Sequence, residues 1–308
     1  MRRMIAASVA RRIALKKMGA GALALAAPMQ VLAAVSDAAK PIIKARRIVS
    51  VGGALTEIIY ALEAQGELVG VDTTSLYPAV AQQLPQVGYA RTLSAEGVLS
   101  LAPTQMIATE EAGPQAVLRQ VRDAGVPVAV LNANNKFEGL LARVKQVGQI
   151  TGRTDPAARL AQALQQQWNG ALAKVGQRSH APVRVLFILA HAPNQVMVGG
   201  RETGADAMLA YAGAVNVMGG QGGFSGYKPL TPEAVIAARP DLVLVTDQGL
   251  KASGGVDGIL KLPGLAQTPA GRKHRIVSLE AMLLLGFGPR MPQALADLDA
   301  AFAQAMAA

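Results

Sequence analysis

The side chains best suited to bind a metal centre lie in one short segment, at Tyr89 and Arg91. A phenolate is a hard, anionic oxygen ligand, and ferric iron is a centre that it binds well. Because the phenol of tyrosine ordinarily ionises near pH 10, such a ligand benefits from a nearby cation that favours its charged form. Residues two apart in an extended loop point the same way, so we expect Arg91 to support a Tyr89 phenolate. The alternative is a loop tyrosine that packs its ring while Arg91 is solvated.

The three histidines have different expected surroundings. His191 follows a predicted strand over Val183–Leu189, and open α/β sheets present ligands at the carboxyl ends of their strands. We expect His191 either to ligate there or only to line the cleft or the turn after the strand. His180 and His274 are expected to be solvated. Three histidines and no cysteine offer few of the ligands that divalent transition metals prefer, so a carrier of such metals is disfavoured.

A glycine-rich segment over residues 219–228 supplies further candidate contacts. Its flexible backbone and its side chains Phe224, Tyr227 and Lys228 suit a loop that curls against a flat apolar ligand. The alternative is a surface loop that makes no contact. The stretch Gly223–Tyr227 departs from the G-x-S-x-G nucleophile pattern at its last position, and no glycine run matches a P-loop or dinucleotide motif. No catalytic set is visible, so the chain is not predicted to be an enzyme.

Length and composition indicate two lobes and a well-formed core. The chain has 308 residues, of which 51% are apolar and 16% charged, which excludes a single small module and a disordered protein. The absence of cysteine excludes disulfides, thiolate chemistry and a lipid-bearing cysteine, so we expect no membrane anchor.

The net charge of +10 does not indicate a nucleic-acid partner, because the excess lies largely in the first 34 residues. After them, 24 basic residues face 20 acidic ones, and the argument for a polyanionic partner mostly disappears. The basic residues of the opening segment are Arg2, Arg3, Arg11, Arg12, Lys16 and Lys17.

That opening segment, residues 1–34, is predicted to be an export signal. Its basic start precedes a short apolar run over Met18–Ala27 and small residues that suit cleavage. The run is too short to span a bilayer. The residues around Arg11 and Arg12 resemble a twin-arginine signal, although the general secretory route stays open. Either route indicates a bacterial periplasm.

The rest of the chain alternates short β-branched runs with helical stretches, which is typical of α/β proteins. We predict a first, mostly parallel sheet and then a second one. The predicted strands are Ile48–Val51, Met106–Ala108 and Val126–Val130 in the first sheet, and Val183–Leu189, Asp241–Val245 and Arg275–Leu279 in the second. A helix is expected from about Leu55 to Ala64, after the first strand.

A single long helix is predicted between the two sheets, over residues 154–177, with Pro156 at its first helical position. One apolar stripe runs along it, which divides the chain into an N-terminal lobe at 35–153 and a C-terminal lobe at 178–308. The stripe consists of Leu160, Leu164, Trp168, Leu172 and Val175. Such a rigid link disfavours large hinge closure.

An internal repeat relates the two lobes. Ser94–Ile107 aligns with Thr231–Leu244 at a constant offset of 137 residues. Each copy has a Ser or Thr helix cap, a glutamate two residues later, a proline that ends the short helix and a buried strand. The glutamates are Glu96 and Glu233. A first-turn carboxylate stabilises its helix without needing another role.

Two segments resemble the periplasmic substrate-binding proteins of ABC importers, in the helix-linked class that takes up siderophores, cobalamin and haem. Gly88–Gly97 resembles the haem-binding branch, in which a tyrosine and, two residues later, an arginine precede the Leu-Ser-Ala-Glu-Gly helix start. Gly204–Asn216 resembles the stretch that opens the second lobe of the class. The resemblance covers nearly the whole chain after the export signal.

The resemblance implies two α/β lobes joined by one helix, with haem held in the cleft between them. It implies Tyr89 as an axial haem ligand supported by Arg91, and His191 as a possible ligand of a second, stacked haem. Lys228 would face a propionate. Siderophore or cobalamin binding in the same fold is the alternative, and an exported hydrolase is less favoured.

The resemblance also implies partners for the loaded carrier. Glu96 and Glu233 would stand on the two lobe rims and pair with basic residues of an inner-membrane permease, which works with its ATPase. The carrier is expected to be a periplasmic monomer.

Overall fold

The first half of the chain folds around a four-stranded parallel sheet. In this computed structural model the described residues are 46–177, 181–192, 195–220 and 222–307, so the predicted export signal and His180 lie outside them. The strands are β1 (Ile48–Val51), β2 (Leu68–Val71), β3 (Gln105–Thr109) and β4 (Val128–Leu131), in the order β2-β1-β3-β4. The helices are α1 (Gly53–Ala61), α2 (Ala95–Leu99), α3 (Gln115–Asp123) and α4 (Phe137–Thr151).

The first strand and its helix form as the apolar pattern predicts. All four residues of β1 are buried, as expected for a strand covered by helices on both faces. Helix α1 starts at Gly53, earlier than the predicted Leu55, because Gly52 has a φ of 116° that lets the chain turn directly from strand to helix. It ends at Ala61 rather than at Ala64.

The second half is built on a six-stranded mixed sheet. Its strands are β5 (Arg184–Ala192), β6 (Gln195–Gly199), β7 (Val215–Asn216), β8 (Tyr227–Pro229), β9 (Leu242–Thr246) and β10 (Ile276–Leu279). The order is β10-β9-β5-β6-β8, and β7 pairs with β5. The pairs of β5 with β9 and β7, and of β9 with β10, are parallel, whereas β6 pairs antiparallel with β5 and β8. The predicted parallel arrangement therefore holds for one side of this sheet.

Seven helices accompany this sheet. They are α6 (Gly204–Tyr211), α7 (Pro232–Ala238), α8 (Asp247–Ala252), α9 (Gly255–Leu260), α10 (Pro269–Arg272), α11 (Ala281–Leu285) and α12 (Met291–Ala307). Residues 45–308 form one compact unit. Within the part of the chain that the structure describes, no helix is both long and apolar enough to cross a membrane.

A single long helix, α5 (Thr154–Gly176), connects the two sheets as predicted. Two details of the prediction are wrong. Pro156 is the third helical residue rather than the first, because the helix already starts at Thr154. Leu172 is 36% exposed, since the buried face of the helix runs through Ala157, Leu164, Trp168 and Ala171.

Trp168 is the point where α5 meets both lobes. Its ring stacks on Phe137 of α4, with 4.7 Å between centroids and 4° between planes. It also meets the edge of Tyr211 in α6 at 4.8 Å and 85°. Both geometries are favourable for aromatic pairs, so one side chain ties the connecting helix to the two halves of the molecule.

The repeat is visible as matching helix caps. The Ser94 hydroxyl accepts a hydrogen bond from the Gly97 backbone N–H at 3.2 Å, before α2. The Thr231 hydroxyl accepts one from the Ala234 N–H at 3.4 Å, before α7. Both helices lead into a buried strand, β3 or β9, so the aligned sequences fold in the same way.

Candidate functional site

Tyr89 is an exposed side chain on a firmly held backbone. It is 45% exposed, while Val87 and Ala90 on either side of the turn are buried. The Val87 N–H donates to the Val71 carbonyl at 2.9 Å, and the Gly88 carbonyl accepts from the Thr73 N–H at 3.0 Å. The phenol is therefore presented from the first lobe by a turn fixed to the end of β2.

The predicted extended loop between Tyr89 and Arg91 is wrong, because residues 90–92 form a turn of 3₁₀-helix. The Thr92 N–H donates to the Tyr89 carbonyl at 2.9 Å and closes this turn. Arg91 instead reaches Glu111, just beyond the carboxyl end of β3, with 2.5 Å between Nη2 and Oε2. Sequence inspection did not single out Glu111.

Arg91 nevertheless interacts with tyrosines of both lobes. Partial burial lowers its pKa, but the Glu111 carboxylate raises it, and the charged forms of Tyr89 and Tyr227 add to that rise. The net shift is upward, so Arg91 is a permanent cation. A cation, a carboxylate and phenols from both lobes thus lie within electrostatic range of one another.

Tyr227 faces this group from the edge strand β8. Burial and the Glu111 charge raise the pKa of Tyr227 to about 12, although the Thr203 hydroxyl and Arg91 oppose the shift. Its phenol is therefore protonated at neutral pH and can donate a hydrogen bond. The predicted floppy loop is in part a strand here, since Tyr227 pairs with Gly199 of β6.

The neighbours of Tyr227 are held more tightly than the glycine-rich sequence suggests. The Phe224 carbonyl accepts from the Arg201 N–H at 2.7 Å, and the Phe224 ring packs against the core of the second lobe. The Lys228 Nζ lies 4.9 Å from the centroid of that ring, a favourable cation–π distance. Lys228 is exposed.

The histidines divide as follows. His191 lies inside β5 rather than in a turn after it, because the strand continues to Ala192 in antiparallel pairing with β6. The register of that pair shifts between Ala190 and Ala192, and such bulges are common beside binding sites. The His191 side chain is outside the described part of the chain. His274 is exposed in a turn, as predicted.

A polar contact between the lobes lies beside Tyr77. Arg290, from the second lobe, binds the Glu57 carboxylate of α1 with both Nη2 at 2.5 Å and Nε at 3.0 Å. Its Nη2 also donates to Glu280 at 3.1 Å. Its guanidinium lies 4.1 Å from the ring centroid of Tyr77, which is 48% exposed. The sequence carried no signal for this group, since Glu57 and Arg290 are far apart in the chain.

The two repeat glutamates lie on exposed helix surfaces. Glu96 in α2 and Glu233 in α7 are both exposed first-turn residues. Val98 and Val235, two residues later in each helix, are fully buried. The buried valines fix each helix against its lobe and leave each carboxylate at the surface.

Within the described ranges, no cluster of three or more His, Asp or Glu side chains could hold a bare metal ion. The arrangement suits a different task. Exposed aromatic side chains of the first lobe and a protonated phenol of the second offer apolar surface, one anionic-oxygen donor and polar groups for the edge of a flat ligand.

Comparisons with known proteins agree with this geometry. A periplasmic haem-binding protein, BhuT, solved in complex with two haems, is 45% identical, and the match covers 85% of this chain and 99% of that one with a TM-score of 0.81. An uncharacterised ABC transporter substrate-binding lipoprotein, YvrC of Bacillus subtilis strain 168, is 26% identical over 82% of this chain and 78% of its own. A vitamin B12-binding protein of Pectobacterium atrosepticum is 24% identical over 65% of this chain and 71% of its own.

The family model described as periplasmic binding protein matches residues 48–283. That range contains both sheets, the connecting helix and every candidate binding residue described above. The chain belongs to the periplasmic binding protein family.

Proposed function

We propose that this protein captures haem in the periplasm and delivers it to an inner-membrane ABC importer. The observation that carries the proposal is the exposed Tyr89 beside Arg91, with Tyr227 facing them from the other lobe. It stands in a fold shared with a haem-binding protein at 45% identity. Membership of a family of binding proteins also disfavours the exported hydrolase.

Tyr89 supplies the axial ligand in this proposal. Ferric haem takes an anionic oxygen at its axial position, and iron binding itself favours the phenolate. The Arg91 charge is partly offset by Glu111 at 2.5 Å. Arg91 therefore supports the phenolate less than a lone cation would, and it keeps a hydrogen-bonding edge at the site.

The second lobe closes the site with weaker contacts. Tyr227 donates a hydrogen bond as a neutral phenol, and Lys228 provides a positive charge for a propionate. Phe224 supports Lys228 through the cation–π contact. His191, on the irregular end of β5, serves as the ligand of a second haem.

Delivery requires a surface that the permease recognises. Glu96 and Glu233 are placed alike in the two lobes, are exposed and can pair with basic residues of two permease subunits at once. Rim charges act mainly on association and salt sensitivity. The predicted signal over residues 1–34 would bring the protein to the periplasm.

Cobalamin or siderophore binding is the second candidate, and the vitamin B12-binding relative favours it at lower identity. In that case Tyr89 would only form a stacking wall. Hemin titration separates the two candidates, because only a tyrosinate-ligated ferric haem gives a new Soret band with charge-transfer bands.

The titration also tests the second haem. The protein without residues 1–34 should show an inflection above one equivalent of hemin, and His191→Ala should remove that inflection while leaving the first equivalent bound. If parent and variant both saturate at one equivalent with the same spectrum, His191 is not a ligand. If hemin produces no Soret shift at all, the haem proposal fails.

A further inference from the structure

An arginine at the start of each lobe binds the end of the helix that carries the repeat glutamate. In the first lobe, Arg47 donates from Nη2 to the Leu101 carbonyl at 2.7 Å and from Nε to the Ala102 carbonyl at 2.9 Å. In the second lobe, Arg184 donates from Nη2 to the Ala238 carbonyl at 2.7 Å. Its Nε donates to the carbonyl of the next residue at 3.5 Å.

The backbones of the two arginines are anchored in the same way. The Arg47 N–H donates to the Thr104 hydroxyl at 2.9 Å, and the Thr104 N–H donates back to the Arg47 carbonyl at 2.8 Å. The Arg184 N–H donates to the Asp241 carboxylate at 3.3 Å, and the Asp241 N–H donates back at 2.8 Å. Each residue pair is separated by the 137-residue offset of the repeat, although the predicted repeat did not extend to these arginines.

The carbonyls that the arginines bind lie where the chain takes an uncommon conformation. Ala102 and Arg239 have φ values of 45° and 44°, a region that non-glycine residues seldom occupy. Such residues persist when their surroundings fix them. The guanidinium groups of Arg47 and Arg184 supply that constraint at the same place in both lobes.

Both glutamate helices are too short to be stable alone. Helix α2 has 5 residues and α7 has 7, and helices this short need tertiary contacts to persist in water. Their last carbonyls lack helical partners. A guanidinium provides two charge-assisted donors there and complements the helix dipole. Each arginine therefore fixes the far end of a helix whose first turn presents Glu96 or Glu233.

We propose that Arg47 and Arg184 are positioning residues for docking: each holds its helix so that the glutamate and the aliphatic residue one turn later face the partner together. This inference rests on the proposed docking role of the glutamates. The aliphatic residues are Leu99 and Ile236, the latter 37% exposed. The partner surface that fits has two equivalent basic patches, each with an apolar neighbour.

The test uses the haem-loaded protein and its cognate permease–ATPase complex in liposomes. Replacing Arg47 and Arg184 together by Met keeps most of the apolar stem and removes the donors. We expect the carrier concentration for half-maximal ATPase stimulation to rise about tenfold, with the haem spectrum and affinity unchanged. The double Lys variant, which keeps the charge but offers one donor direction, should fall between the two and serves if the Met variant does not fold.

Arg46→Met is the matched control. Arg46 is the neighbouring residue and binds the carbonyl of Thr151, the last residue of α4, at 2.6 Å. The same type of bond is removed at a helix without a repeat glutamate, so stimulation should stay at the parent value.

Two further outcomes separate the inference from the docking proposal. If Glu96→Arg with Glu233→Arg abolishes stimulation while the Arg47 and Arg184 double Met variant behaves like the parent, the positioning role is wrong and docking stands. If the charge-reversed glutamate variant stimulates like the parent, docking itself is wrong and the inference falls with it.

Discussion

Two tyrosines that face the same cleft differ in the chemistry available to them. Tyr89 is exposed on a turn of the first lobe, within electrostatic range of Arg91. Tyr227 is more enclosed and lies near the Glu111 charge, which keeps its phenol protonated. Only Tyr89 is therefore suited to bind iron as an anion, whereas Tyr227 is suited to donate a hydrogen bond.

This difference gives a titration prediction. Since burial and Glu111 raise the pKa of Tyr227 to about 12, Tyr227→Phe should remove one phenol that ionises at about that pH in an ultraviolet tyrosinate titration. Glu111→Gln should lower the pKa of the same phenol, because it removes a negative charge. The raised pKa also means that stability from this group is present below about pH 10 and is lost toward about pH 12. A missing phenol that ionises near pH 10 would contradict the assignment.

Residue types near the site could be predicted from the sequence, but their partners could not. Tyr89 and Arg91 are close in the chain, so their proximity needs no tertiary information. Glu111 joins them only because β3 ends beside the Tyr89 turn. The 3₁₀ turn at residues 90–92 depends on that same packing, and the extended-loop prediction failed for this reason.

The secondary-structure elements follow the sequence wherever local signals agree with tertiary packing. The caps Ser94 and Thr231 and the apolar strands after them predict both repeat helices, because capping and burial are encoded within a few residues. The apolar stripe of α5 was predicted less well. Spacing alone cannot distinguish Leu172, which is partly exposed, from Trp168, which two neighbouring helices cover.

Trp168→Ala should therefore destabilise the protein strongly. Loss of a fully packed aromatic side chain of this size costs about 3–5 kcal/mol, and here it also removes both ring contacts that connect α5 to the lobes. Leu172→Ala, on the same helix, should cost less than about 1 kcal/mol. Urea unfolding followed by circular dichroism measures both free energies. Equal losses for the two variants would show that α5 is not anchored through Trp168.

For the molecule as a whole, the inter-lobe contact at Arg290 limits how the two lobes move. Glu57 is buried, and burial raises its pKa even though Arg290 lowers it. A carboxyl group whose pKa is raised by folding favours the folded state most when protonated, and that contribution is lost as pH rises through the raised pKa. Arg290 offsets this loss at neutral pH.

Arg290→Met should consequently destabilise the protein more at about pH 8 than at about pH 5. At the higher pH it leaves an unpaired buried carboxylate, and we expect a loss of about 2–4 kcal/mol, reduced by the partial exposure of the pair. Urea unfolding at both values gives the difference. Adding Glu57→Gln should remove the extra pH dependence, and an equal loss at both pH values in the single variant would refute this account.

The two-lobe architecture was predictable because the repeat and the long helix are properties of continuous sequence. The contacts across the lobes were not. Arg290 and Glu57 are separated by 233 residues, and no local pattern connects them. The domain boundaries at 35–153, 154–177 and 178–308 remain predictions, which limited proteolysis can test.

The central claim is that Tyr89, and not Tyr227, binds the haem iron. Resonance Raman and absorbance spectra of the ferric haem complex compare Tyr89→Phe with the matched control Tyr227→Phe. We predict that Tyr89→Phe loses the tyrosinate and charge-transfer bands and releases haem to apomyoglobin about tenfold faster or more, which corresponds to at least about 1.4 kcal/mol. Tyr227→Phe should keep those bands. An unchanged spectrum in Tyr89→Phe, or loss of the tyrosinate bands in Tyr227→Phe alone, would contradict the claim.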